Sequence, residues 1–253
     1  MKIAIITGAS SGIGKRFAET VSELGEALDE VWVIARRKER LEDLTLAAPT
    51  RVFALDLTSD AAIKTVAAAL EEETPEVRLL VNASGFGKFC ATMDATVEEN
   101  RSMVALNCTA LMSMCQVTVP YLGKGAKIIN IASVAAYQPI PYINVYGATK
   151  AFVLSFSRAL NRELSDASVM AVCPFWTRTE FFDRAVKKDA DAVVKTYLAM
   201  YDAEDIVSRA WRDTKRGKDV SKYGFIARAQ VMLARMLPHK FIMWVWMKQQ
   251  KLG

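Results

Sequence analysis

Residues 2–14 read KIAIITGASSGIG, and the change of character between Thr7 and Gly8 decides the fold. Lys2 leads into Ile3, Ala4, Ile5 and Ile6, an apolar run that is short, rich in β-branched residues and too brief for a signal-peptide core, so it reads as a strand. Gly8, Gly12 and Gly14 follow directly and an amphipathic segment begins at once. Glycines at such a junction permit a tight turn and close approach of the backbone, and the amides that open the next helix suit a pyrophosphate. Gly8, Ser10, Ser11, Gly12, Ile13 and Gly14 are therefore candidate cofactor-binding residues; an ordinary strand-to-helix turn is the plain alternative.

Outward from this turn the pattern repeats. VWVIA precedes an amphipathic stretch at 37–46, RVFALD precedes one at 59–72, and RLLVNA at 78–83 precedes a helix over 97–120. KIINIAS at 127–133, a helix over 146–165 and VMAVCP at 169–174 continue the series. Alternating strand and helix signals at this spacing predict an α/β, Rossmann-like, doubly wound parallel sheet with helices on both faces. The strands are nearly unbroken Ile, Val, Leu and Ala, as expected when both sheet faces are covered. At 253 residues the chain reads as a single domain, 1–253.

Several chemistries are excluded by composition. His239 is the only histidine, which removes Ser-His-Asp and Cys-His catalysis and histidine metal sites, and no CxxC pair occurs among Cys90, Cys108, Cys115 and Cys173. No metal is expected, and reduced thiols point to a cytoplasmic setting. A net charge of +5 without a basic stripe argues against nucleic acid.

In a doubly wound sheet the ligand sits beyond the carboxyl ends of the strands. Asp29 and Glu30 stand at the wrong end of the second strand to meet a ribose, whereas Arg36 and Arg37 follow it, where arginine suits a 2′-phosphate. NADP(H) is preferred over NAD(H) on this ground, with a solvated helix start as the alternative. Asp56, closing the third strand, either meets the adenine or caps the next helix.

These residues resemble the short-chain dehydrogenase/reductase family, of the NADP-preferring type, from about Lys2 to Glu180. Its TGxxxGxG pattern matches Thr7 to Gly14, and its NNAG segment is similar to Asn82-Ala83-Ser84-Gly85. Its helix asparagine matches Asn107, its serine Ser133, and its YxxxK pair Tyr146 and Lys150, with Tyr146 thirteen residues after Ser133. PGxxxT resembles Pro174 to Thr179, with Phe175 in place of glycine. The resemblance implies Asn107, Ser133, Tyr146 and Lys150 as catalytic residues, and adds Asn82, Tyr146, Lys150 and Thr179 to the cofactor contacts. It also implies that Lys150 contacts the nicotinamide ribose and that Asn107 holds a water linking Lys150 to solvent.

Hydride transfer to a carbonyl leaves an alkoxide that needs a proton. A free tyrosine, pKa about 10, holds its proton too tightly. Lys150 lies one helical turn beyond Tyr146, and its charge, together with that of the oxidised nicotinamide, is expected to lower that pKa. Ser133 is expected to donate a hydrogen bond to the substrate oxygen.

The alternation breaks over 181–222, which reads as a candidate substrate lid. Tyr137, Pro139, Tyr142 and Trp176 are candidates to line an apolar pocket. The end of the chain, 223–253, is an apolar and basic helical extension split by Pro238, with neither piece long enough to span a bilayer. Three readings of it stand: a peripheral membrane surface, a flap over a greasy substrate, or a helix in a subunit interface. The expected function is an NADP(H)-dependent oxidoreductase acting on a carbonyl or secondary alcohol of an apolar small molecule, such as a steroid, fatty acyl or xenobiotic ketone. Tyr146 serves as general acid/base, and the assembly is a homodimer or homotetramer. The alternative is a non-catalytic NADPH-sensing protein on the same fold.

Overall fold

The computed structural model describes residues 1–186 and 193–252. Its centre is a seven-stranded parallel sheet of β1 (Lys2–Thr7), β2 (Glu30–Ala35), β3 (Thr50–Ala54), β4 (Glu76–Asn82), β5 (Leu122–Ile131), β6 (Ser168–Val172) and β9 (Val220–Ser221), in the order β3-β2-β1-β4-β5-β6-β9. A two-stranded pair, β7 (Thr177–Arg178) and β8 (Tyr201–Asp202), lies apart from it.

Side chains alternate across each strand, and the two faces build two cores. Ile3, Ile5, Trp32, Ile34 and Leu80 pack on one side with α3 (Asp60–Glu73), α5 (Leu111–Thr118) and α6 (Asn144–Glu163). Ala4, Ile6, Val31, Val33 and Val81 pack on the other with α1 (Gly12–Glu19) and α8 (Ala203–Lys215), where Phe17 meets Trp211 edge-on at 5.4 Å.

Between α4 (Val97–Val104) and α5 runs a π-helical turn, Ala105–Ala110, which carries Asn107. Single π turns inside longer helices often mark functional positions. The stretch Val97–Tyr121 is long and apolar enough to cross a membrane, yet its Leu111, Met114 and Cys115 are buried against the sheet as a core helix.

The lid expected over 181–222 is shorter than its sequence span. Ile206, Val207, Ala210 and Trp211 of α8 recur at helical spacing and are buried, and β9 is an edge strand of the main sheet. Apart from the buried Asp213, the charges of α8 lie on its more exposed face, which is what made the segment look irregular. Only α7 (Phe181–Ala185) and the described approach to β8 remain near the cleft; residues 187–192 lie outside the described residues. The expected terminal extension forms α9 (Phe225–Met236) and α10 (His239–Gln250), with Pro238 at the junction.

Candidate active site

The carboxyl ends of β1, β4 and β5 lie side by side, since Thr7 is in register with Asn82 and Asn82 with Asn130. Thr7 Oγ1 accepts the amides of Ala83 and Ser84 at 3.1 and 3.2 Å, tying the first turn to the loop after β4. Gly8 has φ +69°, and a Cβ there would stand 2.8 Å from the backbone of Ala83 and Ser84; any side chain would push the two loops apart. Helix α1 opens with no side-chain cap and no acid in its first turn, which leaves its positive end directed at the cleft.

A cleft of about 1080 Å³ runs along these strand ends. It is lined by Gly8, Ser10, Ser11, Gly12, Ile13, Gly14, Arg36, Arg37 and Asp56 at one end, where Thr179 also packs beside Gly12, and by Ser133, Tyr146, Lys150 and Trp176 at the other. Asn82, Asn107, Tyr137 and Tyr142 do not line it.

The exceptions have physical reasons. Asn82 is buried on the α5 face, donating to Asn130 Oδ1 at 3.0 Å and to Cys115 Sγ at 3.4 Å, so it does not reach the cleft, which its neighbours Ala83 to Phe86 line instead. Tyr137 turns inward, its hydroxyl 3.9 Å from Cys173 Sγ, with the cations of Arg235 and Lys222 over its ring. Tyr142 adopts φ +67° in the turn before α6, and Pro139 is likewise away from the cleft. Asp56 does not cap the following helix, a task that falls to Ser59; it accepts from Thr58 and pairs with Arg36 at 3.8 Å.

Asn107 is a positioning residue. Its Oδ1 accepts from Phe86 N at 3.0 Å, and its Nδ2 donates to Phe86 O at 2.9 Å and to Thr149 Oγ1 at 3.0 Å. Both amide hydrogens are thereby engaged in clamping the β4 loop to α6, beside Lys150. A Cβ on Gly85 would come 3.0 Å from Asn107 Oδ1 and 3.5 Å from Lys150 Nζ, so glycine keeps this approach open.

The expected electrostatics of Tyr146 need correction. Lys150 Nζ donates to Ile131 O at 2.7 Å and lies 5.8 Å from the centre of the Tyr146 ring. Burial pushes the phenol up to about 12, with Ser133 easing it back, and burial pulls Lys150 down to about 8. Removal from water penalises the charged form of each group, and across this distance it outweighs any mutual help. The phenol is accordingly held in its protonated form.

Residues that the sequence did not single out complete the cleft. Phe89 sits among Tyr146, Trp176 and Phe181 with ring centres 5.9, 5.9 and 6.0 Å away, and Trp246 of α10 stacks on Trp176 at 6.4 Å. Phe175, in the place of the family glycine, packs with Val134, Ala227 and Val231 and anchors α9. Gln138 lines the cleft with its Oε1 buried and without a hydrogen-bond partner among the described residues. Arg40, a turn beyond Arg36 and Arg37, joins Arg37 on a single carboxylate: Arg37 reaches Glu180 Oε2 at 2.8 Å and Arg40 holds Oε1. These two guanidinium groups hold the Glu180 carboxyl below its usual range. Arg37 also donates to Ser10 Oγ at 3.1 Å. Arg40 was legible as a third base at helical spacing; Phe89 and Trp246 lie too far from the motifs to be found by pattern. Among the described residues no cluster of His, Cys, Asp or Glu could hold a metal ion.

Comparison with known proteins agrees with this geometry. The family model of the short chain dehydrogenases matches residues 2–190. The chain is 32% identical over 219 residues to the NADP-dependent 3-hydroxy acid dehydrogenase of Shigella flexneri, covering 83% of this chain and 87% of that protein. The short-chain dehydrogenase from Sphingobium yanoikuyae in complex with NADPH superposes with a TM-score of 0.78 at 29% identity, covering 96% of both chains. The bulky-bulky ketone specific alcohol dehydrogenase from Comamonas testosteroni does so with a TM-score of 0.74 at 28% identity, over 93% and 92% of the two chains. A family match over most of the chain, on a cleft that brings Ser133, Tyr146 and Lys150 together, makes this protein an oxidoreductase of the short-chain dehydrogenase/reductase family.

Proposed function

We propose that the protein is an NADPH-dependent reductase of apolar ketones, with Tyr146 as the proton donor. The observation that carries this reading is the division of one cleft into two chemistries. At one end an uncapped helix start and two converging arginines face the glycine turn; at the other, Ser133 and Tyr146 sit against aromatic side chains. The donor set fits the cofactor: α1 offers backbone amides and a positive helix end to the pyrophosphate, and Arg37 and Arg40 already share one anion where a 2′-phosphate would lie. When bound, NADPH supplies the hydride.

The chain's own residues do the rest. The Ser133 hydroxyl donates to the carbonyl oxygen and stabilises the charge that grows there. Tyr146, kept protonated by its buried setting, delivers its proton to that oxygen. Lys150, fixed by the Ile131 carbonyl, keeps a positive charge beside the phenol below about pH 8 and would contact the nicotinamide ribose. Asn107 holds the Phe86 loop and Thr149 so that Lys150 keeps this position. Phe89, Trp176, Phe181 and Trp246 exclude water and favour a bulky apolar group, in keeping with the bulky ketones in the name of the Comamonas testosteroni relative.

The setting we propose is cytoplasmic, since all four cysteines are free and three are buried. Exposed Phe152, stacked on Phe156 of α6, offers an apolar face for a homodimer or homotetramer. The test is incubation with NADPH and a panel of ketones from small to bulky, following loss of the reduced nicotinamide absorbance. Turnover that improves with apolar bulk is expected; tight NADPH binding without consumption of any ketone would favour the sensing alternative.

A further inference from the structure

Of the fourteen large apolar side chains exposed on the described residues, eight belong to α9 and α10. They fall into two sets. Phe225, Ile226, Leu233, Phe241 and Val245 are exposed and also form the outer rim of the cleft, whereas Met232, Met236 and Trp244 do not line it. The apolar mouth of the cleft thus continues, without a break, into an apolar outer surface.

The charge of this surface is one-sided. From 220 to 253 the chain holds six Lys or Arg and His239, and not one Asp or Glu. Among the described residues, none of Arg228, Arg235, Lys240, Lys248 and Lys251 makes an ion pair. Nor is the face free to fold inward. Gln250 Oε1 accepts the amides of Lys195 and Thr196 at 2.8 and 3.0 Å, and Trp246 donates to Pro141 O at 3.0 Å, so α10 is pinned with Trp244 outward.

We infer that the α9–α10 face docks on an anionic lipid membrane, and that the cleft takes its apolar substrate from the lipid; the second half of this inference rests on the cleft being the ketone site. Two helices of twelve residues are too short to span a bilayer, which takes about 20, and lie in its interface instead. Apolar side chains interspersed along the chain with cations that make no ion pair among the described residues match an anionic headgroup layer over an acyl phase. A second copy of the chain fits the face poorly, because a two-fold contact would set its cations against one another with no carboxylate between them. Simple closure over a substrate leaves Met232, Met236 and Trp244 in water, since they do not reach the cleft.

The experiment is co-sedimentation of the full chain with vesicles of phosphatidylcholine alone or mixed with phosphatidylglycerol. Alongside it run size-exclusion chromatography and turnover of a short water-soluble ketone without vesicles. Wild type is expected to sediment with the mixed vesicles and to be released by salt. Lys240→Ala with Lys248→Ala should weaken binding by on the order of fivefold for each cation removed. Met236→Glu with Trp244→Glu should reduce it to background. Both double variants should turn over the soluble ketone as wild type does, which shows that they are folded. Wild type that stays in the supernatant with anionic vesicles would overturn the proposal. So would a wild-type dimer that Met236→Glu with Trp244→Glu converts to monomer without any vesicle binding, for the face would then join copies of the chain. Retained sedimentation with no ketone turned over by any protein would defeat the reading of the cleft and leave docking in place.

Discussion

Lys150 stands one helical turn beyond Tyr146, with its ammonium nitrogen 5.8 Å from the centre of the phenol ring and hydrogen-bonded to the Ile131 carbonyl instead. The two groups are driven in opposite directions by the same loss of water, the phenol up to about 12 and the amine down to about 8. Each group is thereby pushed toward its neutral form.

That arrangement has a signature in stability. The folded pKa of Lys150 lies below its unfolded value, so between about 8 and 10 the unfolded chain binds more protons and the folded state gains stability as pH rises. Tyr146 works in the opposite sense only above 10, where its folded pKa exceeds the unfolded one. The buried thiols of Cys115 and Cys173, raised by burial, pull stability down over the same window in any variant, so the signal is the difference: ligand-free wild type should gain about 2 kcal/mol relative to Lys150→Met across it in denaturant unfolding. Parallel profiles for the two proteins would contradict the burial of an uncompensated amine.

On the proposed reading, the arginine pair sets cofactor choice. Arg37→Ala with Arg40→Ala should weaken NADPH by on the order of tenfold or more while changing NADH little, read by quenching of the nicotinamide fluorescence. Equal losses for both cofactors would refute the assignment of the 2′-phosphate to these residues.

Glu180 now occupies those same guanidinium groups and competes with any anion placed there. Glu180→Gln should therefore tighten NADPH by a few-fold at low salt and leave NADH nearly unchanged, an effect that fades as salt screens the site. Weaker NADPH binding in this variant would instead mean that Glu180 orders the site for the cofactor.

Gln138 carries a buried carbonyl oxygen that lines the cleft and has no hydrogen-bond partner among the described residues. Its removal relieves a desolvation cost, so Gln138→Leu should raise stability by about 1 kcal/mol in urea unfolding. Substrates bearing a hydroxyl or amide near the carbonyl should lose rate in this variant while simple alkyl ketones do not; a destabilised variant would show that the oxygen is already satisfied.

The sheet was legible because buried parallel strands read as unbroken apolar runs, and each of the strands expected from Lys2 to Pro174 is present at nearly its expected bounds. The glycine turn, Ser133, Tyr146 and Lys150 were legible for a related reason, since local backbone demands and one-turn spacing leave a short-range record. Asn82 misled because the register that carries it to the end of β4 also points its side chain into the core, a distinction that one residue of alternation decides. Tyr137 misled for a different reason, since it closes the short helical turn Val134–Tyr137, which brings its hydroxyl to Cys173. Phe89, Glu180 and Trp246 converge from segments far apart in the chain, and α8 hid its buried stripe beneath a charged outer face. The magnitude of desolvation at Tyr146 was not legible at all, because it depends on the aromatic walls those distant segments supply.

The central claim is that Tyr146 gives the proton in an NADPH-driven ketone reduction. It is tested most directly by comparing wild type and Tyr146→Phe for NADPH affinity and for ketone-dependent NADPH oxidation on the same samples. The account predicts NADPH affinity within about twofold of wild type and a rate lower by roughly 10²- to 10⁴-fold, the usual contribution of a positioned acid. A phenylalanine variant that keeps its rate would contradict it.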